Sequence, residues 1–198
     1  MLKTRASRET WLFVVMALLV LGAGLGLRDP WPSDEPRFAL VAKQMVDSGQ
    51  WLFPHRGLEL YSDKPPMLMW WQATLYSVIG NWRVAFLLPS LIAALGTLWC
   101  VVDLGRRLWT RRVGLYAGWA LLFALQFTFQ AKKAQIDPLV VLFVTLANYG
   151  LLRHLLLGPA WRWRWAGWFF AGLGLITKGV GVPALLIVLP AASPRSAG

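Results

Sequence analysis

Arg28-Asp29-Pro30-Trp31-Pro32-Ser33-Asp34-Glu35-Pro36-Arg37 opens, and Tyr61-Ser62-Asp63-Lys64-Pro65-Pro66 closes, the one long polar stretch of a chain otherwise made of apolar runs punctuated by arginines. Each end sets acidic and basic side chains beside prolines, which fix their own φ and push the preceding residue toward extended backbone. Two such clusters bracketing one loop read as a site and not as a linker. The runs on either side then decide the fold, because they hold this loop at a membrane surface.

With 57% apolar residues and long runs free of charge, the chain is not a soluble domain. The expectation is an all-α polytopic membrane protein with about six transmembrane helices and a large first outer loop over residues 28–82, carrying amphipathic juxtamembrane helices. A net charge of +11, from 20 basic and 9 acidic residues, would suit a nucleic acid. The basic residues instead cluster in short loops between apolar runs, where positive charge sets topology, so no nucleic-acid partner is expected. Cys100 is the single cysteine and lies within an apolar run, which rules out an internal disulfide and any metal-ligand spacing of cysteines.

Lys3, Arg5 and Arg8 precede an apolar run over residues 11–27, read as a retained first span with its N-terminus in the cytoplasm, which places the polar loop outside. Within the loop, Phe38, Val41, Ala42, Met45 and Val46 recur at helical spacing, while Arg37, Lys43, Gln44 and Asp47 take the other face and Gly49 follows as a stop. The spacing predicts an amphipathic helix lying on the membrane, with Asp34 or Ser33 as its N-cap and Pro36 in the first turn. The apolar segment over residues 67–79 is short for a crossing and is expected to lie tilted beneath the loop. Spans follow over residues 83–104, 113–129, 138–152, 165–177 and 180–190. The arginine cluster Arg106-Arg107 and Arg111-Arg112 belongs in the cytoplasm on this topology, and Lys132 and Lys133 fall on the side that the positive-inside tendency disfavours. Trp161-Arg162-Trp163-Arg164-Trp165 reads as an interfacial anchor of indole rings and snorkelling arginines. His55 and His154 are read as interfacial residues without a role.

Asp34, Glu35, Arg37, Asp63, Lys64, Asp137 and Lys178 then all lie on the outer side near the membrane boundary. Ionisable groups at that depth are costly, so several on one side imply a polar cavity open to it. Asp34 and Asp137 also suit helix caps, and Lys64 a plain surface position. Lys178, flanked by apolar runs, needs water or a counter-charge.

These pieces together resemble the C-type, polyprenyl-phosphate-sugar-dependent glycosyltransferases, in particular the aminoarabinose-transferase-like and protein O-mannosyltransferase-like branch. The matching motifs are Asp34-Glu35-Pro36-Arg37, Tyr61-Ser62-Asp63-Lys64-Pro65-Pro66, Gly105-Arg106-Arg107-Leu108-Trp109, Asp137 at the head of a span, and Thr177-Lys178-Gly179. The resemblance covers essentially all of residues 1–198 but only the N-terminal part of such an enzyme. It departs at Asp63, where the family often has glutamate, and at Val180, where proline commonly follows Lys-Gly.

The resemblance implies an inverting glycosyl transfer from a polyprenyl-phosphate-linked sugar to a lipid, glycan or protein acceptor, on the outer, periplasmic face of the inner membrane. It makes Asp34 the candidate general base and gives Asp137 the task of positioning the acceptor or the base. Lys64, Arg37 and Tyr61 would hold the lipid phosphate, with Glu35, Asp63 and Lys178 in support. A divalent metal is open on this reading, and no other cofactor is expected. The chemistry agrees, since transfer needs a carboxylate to take the acceptor proton and cations to neutralise the departing phosphate. A transporter or lipid flippase is the rival from another class. Against it, the charges sit on one side, with Asp103 alone near the inner boundary. An inactive fragment of such an enzyme is the third reading.

Overall fold

The computed structural model describes residues 2–179, with no account of the side chains of residues 2–7. The expected span over residues 180–190 lies outside the described residues. Nine helices and one small hairpin appear among those described. In chain order they are α1 (Leu2–Gly22), α2 (Asp34–Ser48), β1 (His55–Arg56), β2 (Glu59–Leu60), α3 (Met67–Ile79), α4 (Trp82–Ala85), α5 (Leu88–Leu108), α6 (Arg111–Phe123), α7 (Leu125–Ala131), α8 (Ile136–Leu156) and α9 (Trp161–Lys178). The hairpin, with His55 opposite Leu60 and Arg56 opposite Glu59, is an antiparallel element that the all-α expectation did not include.

By length and composition, two helical stretches suffice to cross a membrane: Trp82–Leu108, which joins α4 to α5, and Ile136–Leu156. A third is available if Arg111–Phe123 and Leu125–Ala131, bent by 70° at their junction, count as one span. The continuous helix expected over residues 113–129 is therefore broken at Ala124. Thr128 holds the break: its hydroxyl donates to the carbonyl of Leu122 at 2.6 Å, satisfying an acceptor that the interrupted helix leaves free. The first helix also ends earlier than expected, at Gly22, and gives way to turns in which Gly24 and Gly26 take φ of 92° and 76°.

The predicted amphipathic helix is present as α2, stopped by Gly49 in the left-handed conformation at φ 71°. Two details differ. Neither Ser33 nor Asp34 caps it by a side chain, because Ser33 is already αR and the Asp34 carboxylate turns instead to Arg37. Its apolar face is not left for lipid either. Phe38, Val41, Ala42 and Met45 are buried against Leu68, Met69 and Ala73 of α3 and against Leu139 and Phe143 of α8. Helix α3 occupies the bounds that the apolar run suggests and lies under the loop, where Gln72 donates to the carbonyl of Phe86 at 2.9 Å.

Glycines set the closeness of the helix pairs. A Cβ on Gly114 of α6 would stand 2.3 Å from the carbonyl oxygen of Val102 on α5, and one on Gly150 of α8 would stand 2.4 Å from that of Trp163 on α9. The backbones therefore touch at both crossings, and the loops at either end of the bundle are held in register.

Candidate active site

The loop is anchored first. Glu35, one residue into α2 and 3% exposed, takes two bonds from Arg28 at 2.6 and 2.8 Å, one from the backbone N–H of Trp31 at 2.7 Å and one from that of Ala134 at 2.8 Å. Arg28 also donates to the carbonyl of Lys132 at 2.7 Å, and the Ser90 hydroxyl to that of Lys133 at 2.6 Å. The start of α2 is thereby tied to the turn between α7 and α8 and to the head of α5. Burial works to raise the Glu35 carboxyl. The Arg28 guanidinium and the two backbone donors outweigh it and hold the group below its usual value of 4.5. Glu35 thus supports the site as a strut and has no free lone pair to offer a substrate.

Its neighbour Asp34 points elsewhere. Arg37, one helical turn along, donates through Nη2 to Asp34 Oδ1 at 2.7 Å, and its Nη1 stands 3.6 Å from Asp63 Oδ2, so one guanidinium lies between the two ends of the polar loop. The same group lies 5.3 Å over the ring of Phe38 and 6.0 Å from that of Tyr61. Arg37 Nε and the Tyr61 hydroxyl are both buried and have no partner among the described residues. Burial pushes the Tyr61 hydroxyl above its usual value of 10 against the pull of Arg37, so at neutral pH it keeps its proton and stays a donor. Two buried donors on neighbouring side chains, without an acceptor among the described residues and with a half-exposed carboxylate on the same guanidinium, suit an anion that carries a leaving or attacking oxygen. Lys64 is exposed beside Asp63 and makes no ion pair among the described residues.

Asp137 and Lys178 meet across the bundle. Lys178 Nζ donates to Asp137 Oδ1, which supplies the counter-charge that the lysine needed. Each stands where its helix favours it, the aspartate in the first turn of α8 and the lysine in the last turn of α9. Gln130 donates to Asp137 Oδ2 at 3.1 Å and to Gln135 Oε1 at 2.9 Å. Gln135 in turn lines, with Ser33, Asp34 and Lys133, a pocket of ≈180 Å³. Asp34 lines this pocket, and Asp137 is connected to it through Gln130 and Gln135, two glutamines that the sequence did not single out. On its other side Asp137 borders a cavity of ≈280 Å³ walled by Ala94, Phe127 and Val141.

A family model described as dolichyl-phosphate-mannose-protein mannosyltransferase matches residues 63–194, well over half of the chain. The chain belongs to this family. Undecaprenyl phosphate-alpha-4-amino-4-deoxy-L-arabinose arabinosyl transferase 1 of Proteus mirabilis is 30% identical over 196 residues, which cover 94% of this chain and 35% of that protein. The transferase of the same description from Pseudomonas aeruginosa is 31% identical over 185 residues, 87% of this chain and 32% of its own. The crystal structure of ArnT from Cupriavidus metallidurans bound to undecaprenyl phosphate superposes with a TM-score of 0.83 at 26% identity, over 91% of this chain and 35% of that one. Its apo form gives 0.83 at 25% identity. The chain spans about a third of the length of these relatives. The mannosyltransferase family and the ArnT match bear out the resemblance that the motifs carry, and with it a polytopic membrane protein.

At the opposite end of the bundle lies a second cluster. Asp103 of α5, 5% exposed, takes Arg106 on Oδ1, and Arg107 and the Tyr149 hydroxyl on Oδ2, the last at 2.6 Å. Arg153 then donates to Tyr149 Oη at 2.9 Å and stacks 4.2 Å over the ring of Trp163. Asp103 with Arg106 and Arg107 is legible as i,i+3 and i,i+4 spacing, whereas Tyr149 and Arg153 come from another helix. His154, read as idle, accepts from the backbone N–H of Ala160 at 3.0 Å and so satisfies a donor at the head of α9.

Proposed function

We propose that the chain is the part of a membrane glycosyltransferase that binds a polyprenyl-phosphate-linked sugar and activates the acceptor, which is a lipid, glycan or protein hydroxyl. Supporting this reading above all are the two buried, unpartnered donors, Arg37 Nε and the Tyr61 hydroxyl, set beside Asp34. In this reading the donor phosphate lies against Arg37 and Tyr61 and draws in Lys64, whose charge is unspent among the described residues. Asp34 has one oxygen on Arg37, and the other takes the proton of the attacking hydroxyl. The hydroxyl oxygen forms its bond to the anomeric carbon as the bond to the phosphate oxygen breaks, inverting the configuration, and the polyprenyl phosphate leaves with its charge met by the cations. Asp137, held by Lys178 and linked through Gln130 and Gln135 to the pocket that Asp34 lines, orients the acceptor.

The residues do not fit a divalent metal at this place. Asp34 and Asp63 are separated by the Arg37 guanidinium, and no three metal-binding side chains converge among the described residues. The relatives' printed names support the donor class, since undecaprenyl phosphate is a polyprenyl phosphate. We place the loop on the outer face of the inner membrane, with about six spans, because the arginine cluster at residues 106–112 sits at the end of the bundle away from it.

The test is transfer by a full-length protein carrying this chain, with a polyprenyl-phosphate-linked sugar as donor. Asp34→Asn should lower transfer roughly 10²–10⁴-fold at unchanged folded yield, the cost of losing a general base. Transfer at the unmutated rate would show that Asp34 only holds Arg37.

A further inference from the structure

We propose that the arginine-rich end of the bundle binds the phosphate of an anionic glycerophospholipid, with one acyl chain lying in the groove between α1, α5 and α6. This groove measures ≈390 Å³ and is separate from the polar loop. Phe13 and Ala17 of α1 and Leu95, Leu98 and Trp99 of α5 wall it, while Thr10, Arg106 and Arg111 close one end. From Leu95 to Arg106 the helix rises about 16 Å at 1.5 Å per residue, close to the ~15 Å depth of one leaflet. An acyl chain laid along the groove thus brings its headgroup level with the two arginines.

Charge points to the same occupant. Residues 106–112 hold Arg106, Arg107, Arg111 and Arg112, against which Asp103 is the buried counter-charge. Arg111 and Arg112 also begin α6, where no acidic residue occupies the first turn and the positive end of the helix dipole disfavours cations. An anion at this place relieves that repulsion. Arg106 commits Nη2 to Asp103 and leaves its side chain 53% exposed, and Arg111 spends Nη2 on Thr10 Oγ1 at 2.6 Å. Both side chains line the groove beside Asp103, which Arg106 and Arg107 already neutralise. The groove walls are stiff, because α6 touches α5 backbone to backbone at Gly114 and receives Phe13 over Gly118, where a Cβ would meet that ring at 2.8 Å.

The experiment uses the full chain purified in detergent, offered equal amounts of phosphatidylglycerol and phosphatidylcholine with the same acyl chains, and native mass spectrometry to read the retained lipid. Phosphatidylglycerol should be retained in preference. An arginine near an anionic headgroup is worth about fivefold, so Arg111→Gln should cut that preference about fivefold and R106Q/R111Q about 25-fold. R56Q/R162Q removes the same charge from exposed positions outside this cluster that do not line the groove, and should leave the preference within about twofold. Phosphatidylglycerol with brominated acyl chains should quench the fluorescence that Trp99→Phe removes. Equal retention of the two lipids overturns the proposal, as does an equal loss in R56Q/R162Q, or quenching that is unchanged in Trp99→Phe. Because no step reads sugar transfer, the result is independent of the function proposed for the outer loop.

Discussion

Arg37 in the polar loop and Asp103 at the far end of the bundle each sit at the centre of a charged cluster, and the two clusters differ in how many of their buried hydrogen-bonding groups are used. Around Asp103 every buried group is met, since two arginines and a tyrosine hydroxyl meet one carboxylate and a third arginine meets the tyrosine, while the spare nitrogens of Arg106 belong to an exposed side chain. Around Arg37 the cluster stays open among the described residues, with Nε and the Tyr61 hydroxyl buried and unpartnered and one oxygen of Asp34 outside its pair with Arg37. Burying a donor without an acceptor costs about 1–3 kcal/mol, so a fold retains such groups where a ligand completes them. A saturated cluster locks helices together. An unsaturated one waits for an anion.

Substitution separates the two. Arg37→Ala should lower sugar transfer by about 10²–10³-fold, the cost of removing a donor aimed at developing charge. Arg37→Lys should restore only part of it, because a compact ammonium cannot serve Asp34, Asp63 and a phosphate together. Transfer assays on the full-length protein at matched folded amounts give the comparison.

Asp103→Ala should do the reverse. It orphans the Tyr149 hydroxyl and frees arginines that can reach water, so the loss should be about 1.5–3 kcal/mol of stability, seen as a lower melting temperature in detergent. Transfer per folded molecule should stay unchanged. A large loss of transfer at an unchanged melting temperature would erase the distinction between the clusters.

Tyr61→Phe sharpens the contrast with one atom. Its hydroxyl has no partner to lose, so stability should hold or rise slightly, while the affinity for the polyprenyl-phosphate donor should fall roughly tenfold for a lost bond to a charged group. Isothermal titration with the donor and a thermal melt would read the two effects separately.

The smallest expected effect is on pH. Because the Glu35 carboxyl sits below its usual 4.5 when folded, its contribution is fully present above that value and is lost as pH falls through the folded one. Opening of the loop, read by hydrogen exchange at Trp31 and Ala134, should therefore rise on acidification below about 4.5, with a slope of at most about 1.4 kcal/mol per pH unit. Glu35→Gln should abolish the slope.

Much of the site was legible because its parts are local. Asp34 and Arg37 are one helical turn apart, and Gly49 ends α2 where a left-handed residue is required. The apolar run at Met67–Ile79 gave α3 its bounds. Other features carried no such mark. The break at Ala124 has neither glycine nor proline, and its stabilising bond comes from Thr128. Glu35 read as a second acidic residue of a motif because its donors come from Arg28 and, through the chain's return, from Ala134.

The sequence by itself determined where the main helices α2, α3, α5 and α8 lie, though not the break at Ala124 or the small hairpin, and it determined that the chain lies in a membrane and the residue types gathered in the polar loop. Periodicity, charge placement and proline act over a few residues, and the hydrocarbon core accepts little else. Only the tertiary structure decided which of two adjacent carboxylates is spent and which is free. Glu35 turns inward to Arg28 and two backbone donors and is buried, while Asp34, rotated about 100° around the helix at 3.6 residues per turn, stays half exposed with Arg37 on one oxygen. Periodicity picked out the buried face of α2, Phe38, Val41, Ala42 and Met45, but that α3 and α8 cover it in place of lipid is a long-range event that no local pattern encodes.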